Sequence, residues 1–187
     1  MSEKIKQRQA IKRQTMLSGF ITVFCELGLD GTSIRNLAST IGVSESNLYR
    51  YFENKDDIIQ QCAVLYHEQV LRELGTIFDE YIHRPDEMAE KTLEYIDSVI
   101  DICRFLLQVM AHPTYCKMIE DSKQSSYSYM ADFARLFQEK LGIDEETAIG
   151  AATLLVNAVD GYILKPSRAN FLISFLMVER LVLGQRD

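Results

Sequence analysis

The chain has 187 residues, of which 47% are apolar and 25% charged, with only nine glycines and three prolines; this is an ordinary globular mixture in which long 3.6-residue patterns favour helices. No run approaches eighteen consecutive apolar residues, so no membrane-spanning helix is expected. The net charge of −7 hides an asymmetry: residues 1–52 carry seven Lys/Arg against four Asp/Glu, a balance of +3, and residues 53–187 carry thirteen against twenty-three, a balance of −10, so phosphate would attract a small basic head and be repelled by a large acidic body.

The first helix is predicted from about Lys4 to Leu27. Leu17, Phe20, Ile21 and Phe24 follow i, i+3, i+4, i+7, which buries one face. Lys4, Lys6, Arg8, Lys12 and Arg13 crowd its start, as a solvated basic end or as phosphate contacts. Gly28 suits a left-handed residue closing the helix. Thr32 is read as the N-cap of a short second helix carrying Ile34, Leu37, Ala38 and Ile41, stopped by Gly42. Ser44 caps a third helix, in which Leu48, Tyr51 and Phe52 point inward and Glu45, Ser46, Asn47, Tyr49 and Arg50 remain outside. Two short helices joined by a tight glycine turn make a helix-turn-helix, whose second member enters the major groove.

Asn54 caps the next helix, predicted to run past Gly75 to about Tyr81. Pro85 opens another that reaches Met110 and is open to a split near Asp101. A short segment follows from Thr114 to Ile119, then helices over about Ser122 to Leu141, Asp144 to Leu164 and Arg168 to Leu183. About nine helices result. The boundary near Glu53 divides a DNA-binding head, 1–53, from a helical effector-binding and dimerisation body, 54–187. The short apolar patch from Phe20 to Phe24 has no cleavage signature. A cytoplasmic chain with four free thiols (Cys25, Cys62, Cys103, Cys116) is therefore expected.

The stretches Gly31-Thr32-Ser33-Ile34-Arg35-Asn36-Leu37-Ala38, Ile41-Gly42-Val43-Ser44 and Leu48-Tyr49-Arg50-Tyr51-Phe52-Glu53-Asn54-Lys55 closely resemble the DNA-binding domain of the TetR family of transcriptional regulators. The resemblance spans about residues 5 to 60. It implies phosphate contacts at Thr32, Tyr49 and Lys55. Independently of it, Thr32 and Ser44 each place a hydroxyl and a helix start where a phosphate can bind, and Lys55 lies beside free backbone N–H groups. Arg35, Glu45, Ser46, Asn47 and Arg50 are left to reach base edges, where Arg reads guanine and Asn reads adenine. Ser46 and Asn47 depart from the family's usual Gly or Pro followed by Thr or Ala, so the DNA sequence read here does not carry over from a relative.

Within 144–164, Ala148, Ala151, Ala152, Leu155, Val159 and Tyr162 form one stripe and Ile149, Thr153, Val156 and Ile163 a second. The last helix, with Phe171, Phe175 and Val178, is apolar nearly all round. Helices apolar on more than one face need more than one cover, and a second subunit over Ala148, Ala151, Ala152, Leu155, Val159, Tyr162, Phe171, Phe175 and Val178 supplies it. The resemblance implies the same homodimer, presenting two recognition helices to a palindromic operator. It also implies an effector pocket, with Ile100, Cys103, Leu107, Met110, Tyr115, Met118, Tyr127, Met130 and Phe133 as lining and Asn157 and Asp160 as polar anchors or structural polar groups.

The resulting expectation is a sequence-specific DNA-binding regulator, a repressor released from its operator by a small-molecule effector. It needs no cofactor and no membrane. The alternative is a regulator sensing redox or metal through Cys103, His112 and Cys116, although Pro113 interrupts that group and zinc-site spacings are absent. No glycine-rich phosphate loop or nucleophile elbow suggests an enzyme.

Overall fold

The structure, a computed structural model, describes residues 3–121 and 129–183. Among these the chain is helical, without strands, and divides into two compact units: residues 1–67 with 104–124, and 68–103 with 125–187.

The first unit is built on α1 (Glu3–Gly31), α2 (Ile34–Thr40), α3 (Glu45–Leu48), the start of α4 (Lys55–Tyr81), the end of α6 (Ile100–Ala111) and α7 (Pro113–Asp121). The expected apolar stripe of α1 is its core: Leu17, Phe20, Ile21 and Phe24 are all buried. Phe20 meets Phe52 edge-on at 5.9 Å, and Phe24 lies 5.3 Å from Phe105. Burying one such side chain contributes roughly 1.5–3 kcal/mol. Gly28 kinks α1 with φ +73°, a backbone that a Cβ would strain. Gly19 serves a different need. A Cβ there would stand 2.7 Å from Ile41 Cγ2, so its absence lets the helix-turn-helix turn sit against α1.

Two local expectations change. Ser33, not Thr32, caps α2: its hydroxyl accepts from Asn36 N at 3.2 Å while Asn36 Oδ1 accepts from Ser33 N at 3.0 Å, a reciprocal capping box. α3 is a single α-turn, continued by tighter turns that carry Tyr51 N to Leu48 O at 2.9 Å and Phe52 N to Leu48 O at 3.1 Å.

The second unit holds the rest of α4, α5 (Pro85–Ser98), α8 (Tyr129–Leu141), α9 (Glu145–Leu164) and α10 (Arg168–Leu183). Phe78 of α4 is its centre, with Phe133 at 5.1 Å, Phe137 at 5.9 Å and Phe175 at 6.3 Å. α9 packs on both α8 and α10, and α10 packs on α5. Asp144 caps α9 by accepting from Thr147 N at 2.9 Å. The helix expected from Pro85 to Met110 is split at Val99, two residues before Asp101 where a split was expected, which makes ten helices among the described residues where about nine were expected. Ser98 Oγ donates to Tyr95 O at 2.6 Å, a local bond that competes with helix continuation.

Candidate nucleic-acid interface

The segment from Ile34 to Tyr51 is held from behind. Leu37, Leu48 and Phe52 are fully or almost fully buried. Arg13 stacks 5.3 Å over the Phe52 ring and lies 3.9 Å from Asp57. Lys12 Nζ stands 5.6 Å from the Tyr51 ring centre. α4 begins with Asn54 Oδ1 accepting from Asp57 N at 2.8 Å and Asp57 Oδ2 accepting from Glu53 N at 2.9 Å, so the chain leaves the motif along one defined path. Ser44 caps α3, its hydroxyl accepting from Asn47 N at 3.2 Å. With the backbone so fixed, Arg35, Glu45, Ser46, Tyr49 and Arg50 are exposed and Asn47 half-exposed. Tyr49 keeps 53% of its surface, which no core role explains.

Two phosphate candidates are placed differently. Thr32 is 3% exposed, and its hydroxyl donates to Gly28 O at 2.7 Å; the threonine closes the α1 kink and does not face solvent. Lys55 donates through Nζ to Leu29 O at 2.9 Å, with Asp30 O at 3.5 Å. Its charge therefore sits on the carbonyl end of α1, where a cation is favoured, and one ammonium N–H remains for another acceptor.

Lys4, Arg8, Lys12, Arg35 and Arg50 are exposed, and none forms an ion pair among the described residues. In the second unit Arg84 pairs with Glu87, Lys91 with Glu94, Lys140 with Asp79 and Arg168 with Glu90. Also in the first unit, Tyr115 OH donates to Asp56 Oδ1 at 2.9 Å, and His112 Nε2 lies 3.4 Å from Asp30 Oδ1 with its ring 4.4 Å from that of Tyr115. These contacts join Tyr115 of α7 to the start of α4 and His112, just before α7, to the end of α1. Burial and the bond to Asp56 hold the Tyr115 phenol well above its ordinary range.

The expected pocket residues are divided between the units. Leu107 and Met110 (half-buried) and Tyr115 (buried) belong to the first; Ile100 (half-buried), Cys103 and Phe133 (buried), Asn157 (exposed) and Asp160 (half-buried) belong to the second. Tyr115 is bound to Asp56 and Phe133 packs on Phe78, so both act as structural groups here. Tyr127 and the side chains of Met118 and Met130 lie outside the described residues. Sequence reasoning missed Thr92 and Tyr95. Thr92 Oγ1 and Tyr95 OH are buried and have no hydrogen-bond partner among the described residues; their i, i+3 spacing on an amphipathic helix reads as plain core. Burial pushes Asp160 above the usual carboxylate range. Burial and the nearby Asp160 charge push the Cys103 thiol up to about 12.

The residues expected at a dimer surface are covered inside the chain to differing degrees. Ala148, Ala151, Ala152, Leu155, Val159, Phe171, Phe175 and Val178 are 0–7% exposed inside the single chain, and Tyr162 is half-buried, donating to Asp97 Oδ1 at 2.7 Å. The outward faces carry other residues. On α9 these are Gly150, Leu154, Asn157, Gly161 and Leu164; on α10 they are Asn170, Ile173, Met177 and Arg180. Both sets repeat at alternating spacings of three and four, the pattern of a helix seam awaiting partner helices. By length and composition alone α9 is long and apolar enough to cross a membrane, a test that the core helix of a globular fold also passes.

The metal alternative loses its geometry. His112 Nδ1 accepts from Thr114 N at 3.2 Å, its Nε2 faces Asp30, and no group of three potential metal ligands occurs among the described residues.

Comparison with known proteins agrees with this architecture. Residues 20–62 match the model of the bacterial regulatory proteins, tetR family. An HTH-type transcriptional repressor, KstR2 of Mycolicibacterium smegmatis, is 28% identical over 82 residues, 43% of this chain. The match spans only 36% of that repressor's length. Among solved structures, PfmR of Thermus thermophilus, a TetR family transcriptional regulator, superimposes with a TM-score of 0.60 at 17% identity, covering 90% of this chain and 97% of its own. A TetR-like transcriptional regulator from Rhodococcus sp. RHA1 gives 0.64 at 17% identity over 100% and 98%. At such identities the structures speak for the fold alone. The matched residues lie on the helix-turn-helix that Phe20, Leu48 and Phe52 hold in place, so this part of the chain is similar to the DNA-binding segment of the bacterial regulatory proteins, tetR family, and the all-helical fold is the one these solved regulators share.

Proposed function

We propose that the protein is a sequence-specific DNA-binding transcriptional regulator, not an enzyme, working in the cytoplasm as a homodimer on a palindromic operator. The observation that carries this reading is the solvent-facing Arg35, Glu45, Ser46, Asn47, Tyr49 and Arg50 surface, held from behind by buried Leu37, Leu48 and Phe52. Arg35, Arg50 and Asn47 are the base-reading candidates. Tyr49 and the free N–H of Lys55 are directed to phosphate, with Ser44 at the start of the recognition segment. Thr32 supports the motif from inside. Residues 1–53 act as the head and 54–187 as the body.

The partner subunit covers the α9 and α10 seams, which two-fold symmetry closes into a four-helix bundle. The effector is a small molecule bound in the body near Cys103 and Asp160, where Thr92 and Tyr95 offer hydroxyls unpartnered among the described residues. It acts by differential affinity for two arrangements of the heads, and coupling of roughly 1–3 kcal/mol would lower operator affinity about 5–150-fold. Repression relieved by that ligand is the mode the relative KstR2, a transcriptional repressor, suggests.

Selection from a random-sequence duplex pool tests the reading. Enrichment of a palindrome bound by two protomers is the expected result, with Arg50→Ala then reducing discrimination at its base position by about 1–3 kcal/mol. A pool that shows no enrichment over input overturns it.

A further inference from the structure

We propose that the first turns of α1 form a phosphate-binding ridge that follows the DNA backbone beside the bases read by the recognition segment. This rests on the DNA-binding reading and extends it to a second surface. Lys4, Arg8 and Lys12 recur every four residues on one exposed face of a continuous helix. At ~1.5 Å per residue they stand about 6 Å apart and span roughly 12 Å. One DNA strand carries a phosphate per ~3.4 Å of axis, so the ridge covers about three to four nucleotides of one strand.

Three observations point to an anion as its partner. No acidic residue occurs between Lys4 and Cys25, so within α1 only Glu3 stands against the five cations of its first turns. Among the described residues, Lys4, Arg8 and Lys12 have no ion pair. Like charges at i, i+4 and cations in the opening turns of a helix both disfavour the free state, and neutralisation by phosphate relieves both. The ridge is also tied to the motif. Lys12 stands 5.6 Å from the ring centre of Tyr51, next to the exposed Tyr49 and Arg50. Arg13, one residue on, is turned the other way, onto Phe52 and Asp57, and is excluded from the ridge. Backbone contacts carry no sequence information directly, so the ridge adds affinity for every duplex alike.

The test measures binding of the full chain to a mixed-sequence 30-bp duplex (length about three helical turns, chosen to hold one dimer) across salt concentration. The triple variant Lys4→Gln, Arg8→Gln, Lys12→Gln should lower the slope of log K against log salt by about 2.7 per protomer, at ~0.9 per cation. The affinity lost between about 50 and 200 mM salt then shrinks by roughly 40-fold per protomer. Lys4→Arg, Arg8→Lys, Lys12→Arg should restore the wild-type slope, which separates charge from folding. A triple Gln variant that melts normally and keeps the wild-type slope overturns the ridge while leaving the DNA-binding reading intact. Wild-type protein that fails to bind the duplex at low salt overturns both.

Discussion

Gly19 shows how a single missing Cβ positions the recognition surface. Helix propensity alone would favour alanine there by roughly 0.8–1 kcal/mol. The added Cβ would press on the branched Cγ2 of Ile41 at 2.7 Å, and overpacking of this kind costs about 1–3 kcal/mol. Gly19→Ala should therefore destabilise the protein by roughly 1 kcal/mol in urea unfolding; a stabilised variant would mean that the turn at Ile41 yields freely. Asp160 makes an opposite case. Burial raises its carboxyl pKa, so the folded chain binds the proton more tightly than the unfolded one. Stability linked to it is present in acid, below the unfolded value, and is lost as pH rises through the folded value. Asp160→Asn should raise the melting temperature at neutral pH and leave it unchanged in acid. An unchanged neutral melting temperature would show that the carboxylate has a compensating partner.

At the scale of elements, the two faces of α9 do different jobs. The alanine stripe is covered inside the chain by its packing on α8 and α10. The other face leaves Ile149 47%, Leu154 45% and Leu164 75% exposed, next to Ile173 at 58% and Met177 at 60% on α10. Gly150 and Gly161 have open space where a Cβ would stand. Within one chain, Gly161→Ala therefore meets no clash and gains roughly 0.8–1 kcal/mol of helix propensity. Across a closely packed seam the same methyl holds the two helices apart. Sedimentation equilibrium should show Gly161→Ala weakening the dimer while far-UV melting of the monomer rises. A variant that dimerises as tightly as the wild type would place the interface elsewhere. Asn157, midway along this stripe, is placed to fix the register of the seam, as a single polar residue does in coiled coils.

At the scale of the whole molecule, charge is partitioned by task. The body carries a balance of −10, and five of its cations, Arg84, Lys91, Arg135, Lys140 and Arg168, are paired with carboxylates. The head's exposed cations remain open to a polyanion. Repulsion between DNA and the acidic body favours encounters through the head. Tyr115 of α7 bonds Asp56 of α4, and His112, just before α7, lies beside Asp30 near the end of α1, so polar contacts reach the chain on both sides of the helix-turn-helix.

The sequence by itself determined the helical class, the helix-turn-helix and the inward role of Phe20, Leu48 and Phe52. Helix periodicity, glycine stops and cap residues are local properties that short-range physics writes along the chain. It also pointed to the outward set around Arg50, since these positions remain once the apolar face is assigned. Which cap wins between Thr32 and Ser33 depended on the α1 kink, whose Gly28 carbonyl takes the threonine hydroxyl. Lys55 reached the end of α1 instead of open solvent because two helices distant in sequence converge there. The two stripes of α9 are equally apolar in sequence. Packing against α8 and α10 buries the first stripe up to Val159 together with Ile163 of the second and leaves a third set, Gly150, Leu154, Asn157, Gly161 and Leu164, exposed, because burial is a property of neighbours and not of the residue that is buried.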